Sequence, residues 1–284
     1  MFQTFSITRL ITYCLVPFLL LSVPVALLLV MSDGNPLVNI FESHIAKLTE
    51  MLCFVFSLIL ILSFFKPRKR AVMFANNLSS SGYWQLTLLA IGLLLLTFAA
   101  LNLMQLYQST DLSFVDPPKI NRDITPSGSV FWLYISILFL SIVIVSPIFE
   151  EVVFRGILLD RLSLKLSPIW AITVSSLLFG FLHHNYLGST VYGVLLCLVR
   201  LRFRSLTAVI FVHILNNLMV FCLILSSYFF DLSRIPIVST VLVHNPNLTN
   251  ILLLTLTASL IIMYYYKKEL ICIPQKRFNK TLLT

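Results

Sequence analysis

Long apolar stretches separated by short polar interruptions run along the whole chain, and eight of them approach the length of a membrane span: 9–31, 48–65, 84–105, 129–153, 168–185, 187–203, 206–229 and 248–266. A helix needs roughly 20 mostly apolar residues to cross the hydrocarbon core. The pattern therefore predicts an all-α, polytopic membrane protein with about eight transmembrane helices. The sixth stretch is short and carries Gly188 and Gly193. The first follows Arg9 and has no small-x-small cleavage pattern after it, so it is expected to be a retained helix rather than a signal peptide.

Composition agrees with the pattern. At 58% hydrophobic and 11% charged, the chain has too little polar surface to cover a soluble globule of 284 residues. The sign of the charge adds an orientation. With the N-terminus inside, 16 of the 20 Lys and Arg residues fall on the inner side, in clusters such as Lys66–Arg70, Arg200–Arg204 and Lys267–Lys268, and Lys47, Lys119, Arg122 and Arg234 fall outside. Positive residues accumulate in cytoplasmic loops, which predicts both termini in the cytoplasm. The net charge of +9 is thus mainly a topology signal that can also attract anionic lipid headgroups. Nothing resembles a base-reading module, so nucleic acid is not an expected partner. Five scattered cysteines (Cys14, Cys53, Cys197, Cys222 and Cys272) form neither a disulfide framework nor a CxxC metal clip. The chain has no repeat and no loop long enough for a second domain, so one membrane domain is expected.

Polar residues inside the apolar stretches concentrate between 146 and 217. Glu150 and Glu151 follow a long apolar run, where carboxylates are costly unless paired or facing a cavity. Glu151 and Arg155 stand i,i+4 and can pair, whereas Glu150 points about 100° away and has no such partner, which makes it the more available base. The bland alternative is the solvated cytoplasmic end of a helix. His183 ends the fifth stretch, and His213 and Asn217 share one face of the seventh. His44 and His244 read as loop residues, and His184 as an interfacial neighbour of His183. Counting helical rise inward from Asp160, Arg204 and Pro168 puts Glu150 about 15 Å deep, His213 and Asn217 about 14 and 20 Å, and His183 about 22 Å. A common level is reachable with ordinary tilt of the helices, although His183 needs its helix to tilt or begin late.

A glutamate beside imidazoles in a dry site is chemistry for activating water, and an amide and a second imidazole can stabilise an oxyanion. Glu150, His183 and His213 equally suit a zinc ion that keeps one position open for water. Metal-free and zinc-assisted hydrolysis both remain open on these residues.

Three motifs, E-E-x-x-x-R at 150–155, F-x-x-x-H at 179–183 and H-x-x-x-N at 213–217, occur in that order on successive apolar segments. With them the chain resembles the CAAX-processing and bacteriocin-processing (CPBP) intramembrane proteases, which include the type II CAAX prenyl endopeptidases. The resemblance covers about residues 146–220 and is close to bacterial members. It implies an eight-helix fold and peptide-bond hydrolysis in a cavity open to the cytoplasm. Glu150 would activate water with help from His183, His213 and Asn217 would stabilise the oxyanion, and Glu151 and Arg155 would support the site or contact substrate. Outside the resemblance, the near absence of polar residues at the centres of the first three stretches predicts scaffold helices over 1–125, ahead of a catalytic core over 126–230 and a last span with a basic cytoplasmic tail over 231–284. The cofactor is either one divalent metal such as zinc or none. The expected partners are the bilayer and a peptide or protein substrate, and the expected location is a bacterial inner membrane. Where many bacterial relatives have an Arg-Thr-Gly-Ser-Leu-like turn before the seventh helix, this chain has Arg202-Phe203-Arg204-Ser205-Leu206. Two other functions compete with the peptidase: a non-catalytic binding or immunity protein of the same fold, and a proton-coupled transporter. Transport would favour inverted repeats, which the sequence does not display.

Overall fold

The structure is a computed structural model that describes residues 5–31, 36–68, 74, 80–107, 129–183, 185–229, 255 and 257–258. Within them the chain forms α1 (Ile7–Met31), α2 (Pro36–Ser63), α3 (Ser80–Tyr107), α4 (129–162), α5 (Pro168–Phe181), α6 (Tyr186–Phe203) and α7 (Leu206–Phe229). The described residues contain no strand. Four apolar helical stretches are long enough to cross a membrane, Ile7–Leu28, His44–Ser63, Phe131–Leu162 and Tyr186–Phe203, and shorter ones lie in α3, α5 and α7. The expected eighth span, 248–266, lies outside the described residues except for three positions.

Helix boundaries shift where polar residues find partners. The fourth span does not stop at 153 but continues to Leu162, because Glu151 and Arg155 pair with each other within the protein and do not force the helix into water. The second helix begins at Pro36, which puts His44 and Lys47 inside a helix rather than in an outer loop. His44 is buried with its ring 4.7 Å from that of Tyr134. The fifth helix ends at Phe181, so His183 sits in the following turn and not on the helix. His184 and His244 lie outside the described residues. Cys14, Cys53, Cys197 and Cys222 are free thiols; Cys272 also lies outside the described residues.

Helix α4 is the spine of the site and is irregular in two places. Its α-helical turns are interrupted by wider π-helical ones at Leu140–Val145 and Val152–Leu158. Pro147 explains the first. It has no N–H, and the Ser146 N–H reaches back five residues to the Ser141 carbonyl. The Ile142 carbonyl is left without a helical donor, and the Asn217 side chain of α7 donates to it at 2.9 Å. A proline in α4 thereby fastens α7 at the level of the polar cluster.

Around this spine, α1 and α2 pair antiparallel, α2 runs alongside α4, and α7 packs on α3, α4 and α6. α5 and α6 form a tight hairpin whose closeness depends on small residues, as is usual where lipid supplies no hydrophobic drive for helix association. A Cβ at Gly180 would lie 2.6 Å from the Tyr186 carbonyl oxygen and closer still to Thr190 Oγ1. The α6–α7 junction is the point where the sequence differs from the Arg-Thr-Gly-Ser-Leu-like pattern of the family it resembles. Arg204 occupies that glycine position with φ 51°, the left-handed region, and Ser205 Oγ accepts from Ala208 N to start α7. L-residues pay about 1–2 kcal/mol there. Arg204→Gly is therefore expected to stabilise the protein by about 1 kcal/mol, read as a rise in thermal midpoint in detergent.

Candidate active site

Glu150 and Glu151 end the α-helical segment Ser146–Glu151, just before the second π-helical stretch. Their side chains part on leaving the helix. Glu151 turns inward, is 0% exposed, and its Oε1 accepts from Arg155 Nη1 at 2.8 Å. The expected i,i+4 pair is present, and its complete burial overturns the solvated-end alternative for this segment. Arg155 also reaches the Gly193 carbonyl at 3.4 Å and stacks over Phe179, 4.2 Å from the ring centre. One guanidinium thus joins α4 to α5 and α6.

Glu150 faces a cavity of about 550 Å³ lined also by His183, His213, Asn217, Ser146 and Tyr192. It has a local partner that spacing alone did not single out: the Ser146 hydroxyl, one turn back, donates to Glu150 Oε1. The other oxygen, Oε2, is buried with no hydrogen-bond partner among the described residues. It lies 3.7 Å from His183 Nε2 and 3.9 Å from His213 Nε2. These gaps exceed a hydrogen bond.

The imidazoles are oriented from behind. His183 Nδ1 is 2.7 Å from the Phe179 carbonyl, an acceptor, so this nitrogen carries the proton and Nε2 is turned toward Glu150. His213 Nδ1 donates to Glu151 Oε1 at 2.7 Å, which directs its Nε2 to Glu150 as well. The His213 ring is therefore wedged between adjacent carboxylates of α4, one holding it and one across the cavity. Both π-helical stretches of α4 lie within two turns of this pair, in keeping with the frequent placement of π-bulges at functional sites.

Asn217 lies on the same face of α7 as His213, with its amide committed to Ile142 as described and its oxygen 3.4 Å from Asn216 Nδ2. An amide has a second N–H to offer. Tyr192 packs edge-on against His213, with ring centres 5.4 Å apart, and its hydroxyl has no partner among the described residues. Sequence spacing missed Ser146 and Tyr192; a serine one turn before an intramembrane glutamate is the one available signal for the first. Two further charges in the cavity wall, Lys47 and Glu50, come from α2, far away in sequence.

As a metal site the set is loose. Among the described residues no group of three or more His, Cys, Asp or Glu side chains is drawn together to hold an ion. The nearest approximation is Glu150 Oε2 with the two Nε2 atoms at the separations above.

No curated protein and no solved structure matches the chain. A family model does match, over a segment that holds Ser146, Glu150, Glu151, Arg155, His183, Tyr192, His213 and Asn217 together. Residues 128–219 match the model of the type II CAAX prenyl endopeptidase Rce1-like family, the resemblance to which the three ordered motifs pointed.

Proposed function

We propose that this integral membrane protein is an endopeptidase that hydrolyses a peptide bond of a membrane-presented peptide or protein, in CAAX-type processing or in peptide or bacteriocin maturation. The observation that carries the proposal is the unpartnered Glu150 Oε2, buried at the cavity wall with two imidazole nitrogens aimed at it across gaps of 3.7 and 3.9 Å. A water molecule held between Glu150 and His183 would lose its proton to Glu150 Oε2 as it attacks the scissile carbonyl. The oxyanion would then meet His213 and Asn217. His213 can donate from Nε2 only as imidazolium, since its Nδ1 proton is already directed at Glu151, and the Glu151 carboxylate stabilises that cation. The proton on Glu150 passes to the leaving amine. These steps need only the chain's own residues. Were a divalent ion to bind, Glu150, His183 and His213 would be its ligands, and it would supply Lewis-acid activation of the water.

The topology in this reading has eight spans, both termini in the cytoplasm of a bacterial cell, and the cavity open to the cytoplasmic side. The protease-family match and the intact acid, imidazole and amide positions favour hydrolysis over a binding, immunity or transport role.

The test is cleavage of a panel of membrane-presented peptides by the purified protein, with and without chelator, comparing wild type with His213→Ala. Loss of cleavage in the variant supports the reading, and chelator sensitivity decides the metal. Wild type and variant cleaving at equal rates would sink His213 as the oxyanion stabiliser, and cleavage of no peptide by the wild type would count against hydrolysis itself. Ser146 acts as a positioning residue in the same scheme, because its hydrogen bond to Oε1 leaves Oε2 as the reactive oxygen. Ser146→Ala is expected to lower kcat about 10- to 100-fold with KM little changed, and Ser146→Thr to restore it.

A further inference from the structure

Within the apolar stretch His44–Ser63 of α2, Lys47 and Glu50 are the only Lys, Arg, Asp or Glu residues. They form an ion pair at 2.5 Å, and both line the cavity that holds Glu150. Ionisable side chains in a spanning helix are costly and characteristically line substrate or ion paths. This pair stays reachable, with side chains 26% and 38% exposed, unlike the fully buried Glu151–Arg155 pair behind the site. Among the described residues lining the cavity, Lys47 is the one Lys or Arg, so it is the one permanent cation available to an anionic group of a substrate.

We infer that Lys47 and Glu50 form a carboxylate-binding subsite, in which a substrate carboxylate joins or replaces Glu50 on the Lys47 ammonium. An ammonium has three donors, and Glu50 keeps it satisfied until the substrate arrives. Helix register fixes the distance. α2 and α4 run in the same direction, with His44 against Tyr134 and, further along both, Phe54 stacked on Phe149 at 4.8 Å, next to Glu150. Glu50 and Lys47 lie one and two turns from Phe54, about 6 and 10 Å along the axis. An extended peptide advances about 3.3 Å per residue, so the recognised carboxylate lies roughly two to three residues from the scissile bond. This spacing rests on the peptidase reading of Glu150; the subsite itself does not.

The carboxylate can be the substrate's C-terminus or an Asp or Glu side chain, and one binding experiment separates the two. N-myristoylated octapeptides are titrated onto the Glu150→Gln protein in lipid nanodiscs as free acid against C-terminal amide, and as amides carrying Asp against Asn three residues from the end. The expected result is a preference of about tenfold or more for the carboxylate form in one of the two pairs. Lys47→Met should collapse that preference, Lys47→Arg should retain it, and Glu50→Gln, which removes the competing internal carboxylate, should enlarge it. The inference is overturned by equal affinity within both peptide pairs, or by a preference that survives Lys47→Met. Because binding is read on a protein lacking the Glu150 carboxylate, a preference that depends on Lys47 upholds the subsite even if the wild type cleaves none of these peptides; that second result counts against the peptidase reading alone.

Discussion

Glu150→Gln is expected to lower kcat by about 10²- to 10⁴-fold, the range for removing a general base, while the protein folds as before. The substitution is isosteric. The amide oxygen can still accept from Ser146, and the buried Oε2, which has no hydrogen-bond partner among the described residues, is exchanged for a neutral group. No helix contact is lost. A thermal midpoint in detergent equal to or slightly above that of wild type, together with lost cleavage, would separate chemistry from stability. If instead Glu150→Gln cleaves at the wild-type rate, the carboxylate is not the base; cleavage by neither protein would leave the binding and transport readings standing. His183→Ala should show a smaller loss of kcat, because His183 helps position the water and does not take its proton in the scheme proposed here.

The second large effect concerns stability. Arg155→Met is expected to destabilise the protein by about 3–5 kcal/mol, the cost of leaving one member of a buried ion pair behind. Glu151 would then keep only His213 of its two partners, and the Gly193 carbonyl and the Phe179 face would lose their cation. Arg155→Lys should recover little, since one ammonium cannot reach Glu151 and Gly193 in the same planar arrangement. The informative control is the double variant Glu151→Gln with Arg155→Met. Removing both charges should cost markedly less than the sum of the single changes, in a double-mutant cycle read by unfolding in mixed detergent. Additive losses would mean that the pair does not act as a unit.

These two expectations treat neighbouring glutamates in opposite ways, and the sequence shows part of the reason. The i,i+4 spacing of Glu151 and Arg155 makes their pairing a local matter, legible from helical geometry alone. The shared face of His213 and Asn217 is legible for the same reason. So are the positions of the apolar helices and the order of the three motifs, because each depends on residues within a few turns of one another. The approximate depths placed Glu150, His183, His213 and Asn217 near one level, and all four line one cavity.

Tertiary structure decided what no local spacing encodes. The end of α5 at Phe181 puts His183 in a turn, where its ring is held by the Phe179 carbonyl. Pro147 and the π-helical turns beside it leave the Ile142 carbonyl to Asn217, a bond across 75 positions of sequence. His213 is wedged between two carboxylates that are adjacent in the chain but point apart in space. Lys47 and Glu50 read as features of a scaffold helix and its outer loop until α2 is laid against α4. The sequence by itself determined which residues cross the apolar regions and which local pairs they form, since helical periodicity and hydropathy act over one or two turns. Only the packing of helices distant along the chain determined which oxygen of Glu150 is free and which charges share its cavity.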